Sequence, residues 1–186
     1  MKTKTILALA CLMCAGILSA NDTLVIFDGG EHQKGRAWAH PRGISELKIS
    51  YQHPFSNKAH LSFKARWLDG WAGAGWNWKS WKGGGDDITP YKELRFRLGL
   101  SKHKIKGLLV QLTSNNGAGA DADGPKVMLL PEIDKRGKYI LFTIPLEKLT
   151  GGKLDPKNVW GINFDIHAFE KEGECKIYID QIEFVE

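Results

Sequence analysis

The sequence predicts an all-β chain folded as a two-sheet β-sandwich or jelly roll. Two observations carry this. Apolar and polar residues alternate with period two in a succession of short runs, while helical spacing is nearly absent. The runs are separated by turn-forming clusters such as PFSNK, KGGGDD, SNNGAGADADGP, DKRGK, TGGKLDPKN and EKEGE. Many short strands at near-regular spacing belong to sandwiches and jelly rolls, not to parallel α/β sheets.

Taken in order, residues 1–20 read as an export signal. Lys2 and Lys4 supply the positive start, Ile6 to Leu18 the apolar run, and Leu18-Ser19-Ala20 the small-residue end. The run is too short to span a bilayer and no later run is long enough, so a secreted or periplasmic location is expected. Ala8-Leu9-Ala10-Cys11 is a poor lipidation box, so a lipid anchor is the disfavoured reading. Residues 21–186 then form one predicted domain of a size that supports a full core. Strands are expected at Thr23–Phe27, Glu46–Ser50, His60–Trp67, Gly70–Trp78, Glu93–Leu98, Gly107–Thr113, Lys126–Leu130, Lys138–Ile144, Val159–Ile166 and Lys176–Val185. One helical turn is expected from Pro145.

Losing Lys2 and Lys4 lowers the formal net charge from +5 to +3, and the remaining lysines are scattered. This excludes the basic footprint of a nucleic-acid binder. Cys11 and Cys14 leave with the signal. Cys175 alone cannot form an internal disulfide and reads as a buried or edge-strand side chain beside KIYID. The glycines Gly83–Gly85 precede no helix and no Lys-Ser pair, which rules out a phosphate loop.

Five of the seven tryptophans crowd into RWLDGWAGAGWNWKSWKGGGDD. Indoles either fill a core or offer flat apolar plates to a ligand such as a sugar ring, and strand phase separates the two roles. Trp67 shares a phase with Leu61, Phe63 and Ala65, so it is core. In the next run Ala72, Ala74, Trp76 and Trp78 form the inward phase. Trp71, Gly73, Gly75, Asn77, Lys79 and Trp81 form the outward one. The same split points Gln111 and Thr113 outward opposite Leu108, Val110 and Leu112, and Asn163, Asp165 and His167 outward opposite Ile162, Phe164 and Ile166. Such amides, carboxylates and imidazoles suit sugar hydroxyls. A solvated polar sheet face is the plain alternative.

With these residues in view, the chain resembles a family of secreted carbohydrate-binding modules with a galactose-binding-like β-sandwich, similar to families 11 and 30. The resemblance is carried by LVIFDGGE at the start, by WAGAGW followed by DITPYKELRF in the middle, and by FTIPL, WGINF and IYIDQIEF at the end. It implies a concave sheet that binds glycan, structural roles for Asp87 and Tyr91, and an inward Trp76. It also implies a structural Ca²⁺ held by Asp28 or Glu31 with Asp180. A second calcium candidate, Asp121-Ala-Asp123-Gly, lacks further ligands and reads as a rim loop.

The expected function is therefore non-catalytic binding of a polysaccharide, in particular a β-linked glycan, by a monomer. Trp71 and Trp81 would stack on the sugar, with Asn77, Lys79, Gln111, Thr113, Asn163, Asp165 and His167 around it. Two alternatives remain: a jelly-roll lyase or hydrolase using Asp165 and His167, and a secreted structural or assembly partner.

Overall fold

The computed structural model describes residues 23–32, 34–52, 58–79, 84–100, 105–115, 121–129 and 139–186. The signal segment and Trp81 lie outside the described residues. Among the described residues there are twelve strands and one 3-10 turn: β1 Thr23–Phe27, β2 Arg36–His40, β3 Glu46–Ser50, β4 His60–Trp67, β5 Trp71–Asn77, β6 Glu93–Leu100, β7 Gly107–Asn115, β8 Asp121–Asp123, β9 Val127–Leu129, β10 Tyr139–Pro145, β11 Val159–His167 and β12 Gly173–Val185. The turn, Leu146–Lys148, falls where the helical signal was read.

All pairings are antiparallel and make two sheets. The first has the order β10-β6-β12-β4-β3, with β1 also on β12. The second has the order β2-β5-β11-β7-β8, with β9 also on β7. Each sheet divides one long strand's edge between two partners. Residues Gly173–Ile179 of β12 pair with β4, after which Ile182–Val185 pair with β1. On β7, Leu108–Val110 pair with β9 and Thr113–Asn115 with β8.

The inward phases meet in a single apolar layer. Leu61, Phe63, Phe96, Ile177, Ile179 and Phe184 from the first sheet face Ala74, Trp76, Val110, Ile162, Phe164 and Ile166 from the second, and all are buried. Burying each large side chain of this kind contributes about 1.5–3 kcal/mol, so the alternation alone is enough to fix which face of each strand turns inward. Trp67 and Trp76 are core as expected. Trp78 lies just past the end of β5, where strand parity no longer applies. It packs on the core only in part, 6.2 Å from the Phe184 ring, and its indole N–H donates to Asp86 (2.9 Å).

Cys175 is buried on the inner face of β12, which lies between β6 and β4. Burial pushes its thiol up to about 12. Asp87 accepts both the N–H and the hydroxyl of Thr89, and Tyr91 packs 6.2 Å from Phe184, so both serve the structure. Among the described residues no helix is long and apolar enough to cross a membrane.

Two strands depart from the expected set. Arg36–His40 pairs with β5 as the edge of the second sheet. Asp121–Asp123, read as loop, pairs with the end of β7 because Ser114 and Ala122 lie directly opposite and the Ser114 hydroxyl donates to the Ala122 carbonyl.

Candidate functional site

The outer face of the second sheet is a grid set by register. One row runs Arg36, Asn77, Gly161, Thr113 and Asp123; the next runs Trp38, Gly75, Asn163 and Gln111. A third runs His40, Gly73, Asp165, Leu109 and Met128, and a fourth Trp71, His167 and Gly107. A groove of about 430 Å³ lies over this grid, lined by Trp38, Trp71, Gln111, Asp123, Lys126, Asn163, Asp165 and His167.

At β5 the indoles lie directly on backbone, over the buried Gly73 and Gly75. A β-carbon on Gly75 would overlap the Trp38 indole and come within 2.6 Å of Asn163 Oδ1. One on Gly73 would meet Asp165 Oδ1 at 2.6 Å and Trp71 Cζ3 at 3.1 Å. Gly75 therefore lets Trp38 settle against the strand, a close approach that any side chain would block, and Gly73 spares Trp71 a tight contact. The indoles remain about two-fifths exposed, Trp38 at 37% and Trp71 at 41%. His40 stacks on Trp71 with ring centroids 5.0 Å apart and planes 15° off parallel, so one face of that indole is already covered.

Polar groups across the groove are held in a chain. Asn163 Nδ2 donates to Thr113 Oγ1 (3.1 Å), and the Thr113 hydroxyl donates to Asp123 Oδ1 (2.9 Å). Gln111 Nε2 donates to the Gly124 carbonyl (2.7 Å). Lys126, on the segment joining β8 to β9, reaches over β7 to pair with Asp165 Oδ2 at 2.8 Å. Asp165 is nearly buried, whereas the Lys126 side chain is about half exposed, so the pair anchors the lysine more than it stabilises the fold.

Of the residues expected at a site, Trp71, Gln111, Asn163, Asp165 and His167 line the groove together. Thr113 is buried beneath them as the link between Asn163 and Asp123. Asn77 sits on the same face in the outermost row, with its Oδ1 enclosed beside Gly161 and without a hydrogen-bond partner, and it does not line the groove. Lys79 lies past the end of β5 and pairs with Asp86 at 3.1 Å, away from the groove. Trp81 falls outside the described residues.

Trp38, Asp123 and Lys126 were not read as site residues. RAWAH carried a usable signal, since Ala37 and Ala39 alternate with Trp38 and His40, but two alanines are a faint apolar phase. Asp123 and Lys126 arrive only through the pairing of β8 and β9 with β7.

The carboxylates named for calcium have protein partners of their own or lie exposed. Burial opposes ionisation of Asp28, but the N–H groups of Gly30 and His32 outweigh it and hold the carboxyl below its ordinary range. Lys58 and His32 already stand 3.5 Å from Asp28 Oδ2, Glu31 is exposed, and buried Asp180 accepts the Gln181 N–H. Among the described residues no three His, Cys, Asp or Glu side chains gather as metal ligands.

No protein-family model and no curated protein matches this chain. Solved structures do. A family 11 carbohydrate-binding module of the cellulosomal cellulase Lic26A-Cel5E of Clostridium thermocellum aligns at TM-score 0.62 and 14% identity, over 90% of this chain and 96% of that one. A family 11 module from the same organism, in complex with a β-1,3-1,4-mixed-linked tetrasaccharide, aligns at 0.62 and 15%, over 90% and 97%. The family 30 module of cellulosomal cellulase Cel9D-Cel44B of Clostridium thermocellum aligns at 0.62 and 14%, over 87% and 96%. The chain thus has the β-sandwich fold of carbohydrate-binding modules of families 11 and 30.

Proposed function

We propose that this chain binds a polysaccharide without cleaving it, on the outer face of the second sheet. The observation that carries the reading is the pair of part-exposed indoles, Trp38 and Trp71, seated on a glycine floor beside a row of fixed amide and carboxylate groups. Flat apolar plates suit the C–H faces of pyranose rings, and the polar row suits their hydroxyls. The fold shared with carbohydrate-binding modules supports it, and export and a monomeric state belong to the same proposal. A β-linked glucan is the first ligand to try, because a similar module is described with a mixed-linked tetrasaccharide.

Of the rival reading, a lyase or hydrolase using Asp165 and His167, the hydrolase form meets a distance problem. Cleaving a glycosidic bond takes two carboxyl groups roughly 5–10 Å apart. The other acid in the groove is Asp123, four residues away along β7 and two strands across. That places the two backbones about 17 Å apart at ordinary strand spacing. Asp165 is moreover held by Lys126.

Affinity electrophoresis of the wild type, Trp38→Ala and Trp71→Ala through gels containing mixed-linkage β-glucan, xylan or galactan tests the proposal. Retardation of the wild type, reduced in both variants, is expected. No retardation in any gel sinks the binding reading, and new reducing ends on long incubation would favour the enzyme.

A further inference from the structure

We infer that the glycan track runs lengthwise along β11 and continues beyond the groove onto an outlying platform at Phe169. This rests on the glycan-binding reading. Asn163, Asp165 and His167 occupy alternate positions of β11 and all line the groove. They cover roughly 14 Å of strand at about 3.4 Å per residue. Side walls flank that line. Trp38 and Trp71 stand on one side and Gln111 and Lys126 on the other.

His40 covers one face of Trp71, so a sugar can stack only on the face left free. At this end Trp71 and His167 lie directly opposite each other, and each adjoins a loop. Those two loops are tied together. Gly70 N–H donates to the Lys171 carbonyl (2.7 Å), Ala168 N–H to the Gly70 carbonyl (2.8 Å), and the Trp67 indole to the Glu170 carbonyl (3.1 Å). On this pinned support Phe169 is 70% exposed and Leu68 is 53% exposed. Phe169 follows the last groove residue of β11 by two positions, so a chain that leaves the groove along β11 runs toward this exposed ring. A single exposed apolar residue on a mobile loop would carry no such meaning.

The consequence is a dependence on chain length. Calorimetric titration with a trisaccharide and a hexasaccharide of the mixed-linkage β-glucan series is the test, on wild type, Phe169→Ala, Phe169→Trp and Trp71→Ala. The wild type is expected to bind the hexasaccharide about tenfold more tightly than the trisaccharide, in keeping with one added aromatic anchor. Phe169→Ala removes that gain and leaves trisaccharide affinity unchanged, and Phe169→Trp keeps the gain. Equal affinity for both lengths in the wild type, or an equal loss for both in Phe169→Ala, overturns the extension while leaving the groove in place. A concentration-dependent dimer abolished by Phe169→Ala, seen by sedimentation, assigns the platform to a second copy of the chain instead. Wild type that binds neither sugar defeats the glycan reading itself, and the extension with it.

Discussion

The outer faces of the two sheets begin from the same pattern, polar residues alternating with a buried phase, and they end as different surfaces. On the first sheet the polar groups satisfy one another. Arg95 pairs with Glu93 (2.7 Å), Lys48 with Glu46 (2.9 Å), and Arg97 donates to Gln181. Lys176 lies 5.2 Å above the Tyr178 ring, and a β-carbon added at Gly99 would meet Tyr139 only at ordinary van der Waals distance. On the second sheet two buried glycines let the indoles come down on the backbone, Trp38 so closely that a β-carbon on Gly75 would overlap it. A polar sheet face is therefore not a site in itself. What distinguishes the groove is a pair of indoles laid on buried glycine backbone, with hydrogen-bonding groups fixed beside them.

The sharpest way to break this comparison is the same substitution on both floors. Gly75→Ala displaces Trp38, and the overpacking is expected to cost about 1–3 kcal/mol of stability and at least a tenfold loss of glycan affinity. Gly99→Ala meets Tyr139 at 3.4 Å, an ordinary contact. It should leave binding untouched and raise stability by up to about 0.5–1 kcal/mol, because alanine orders more cheaply than glycine in a strand. Thermal melts and affinity gels on the two variants read both effects, and similar behaviour would erase the distinction.

A smaller effect is expected behind Trp71. His40→Ala frees the covered face of the indole and should weaken glycan binding several-fold, of the order of 1 kcal/mol for one aromatic pair. His40→Phe should restore it, and near-UV circular dichroism should report the loss and recovery of Trp71 order. Failure of phenylalanine to rescue would mean that the imidazole acts through its nitrogens.

Smaller again is the matched pair Lys126→Met and Arg95→Met. Arg95→Met breaks a part-exposed ion pair and should change stability by no more than about 1 kcal/mol, whereas Lys126→Met leaves the nearly buried Asp165 without its cation and should cost somewhat more. Only Lys126→Met should change affinity for glycan. Equal binding by both variants would remove Lys126 from the site.

Least of all should change at the inner faces, where the sheets do not differ. The Cys175 thiol, pushed up to about 12 by burial, stays protonated below that pH in the folded chain. Iodoacetamide at pH 8 should leave it unmodified until denaturant is added, and rapid labelling of the native protein would show that the core opens.

Much of the site was legible before any coordinates. The alternation around Trp71, Ala72, Gly73, Ala74, Gly75 and Trp76 assigns each to its face, and the same reasoning places Gln111, Asn163, Asp165 and His167 on one surface. It fails where a strand ends, as at Trp78 and Lys79, which turn to Asp86 beyond β5. It also fails where the apolar phase is only alanine, as around Trp38.

The sequence alone determined the parity of each strand, because successive side chains leave a strand on opposite sides whatever its neighbours are. Which outward residues become neighbours was decided by the tertiary structure. The register that brings Trp38 to Gly75, Asp123 to Thr113 and Lys126 to Asp165 depends on pairings between distant segments, and the core those segments bury together is what selects it.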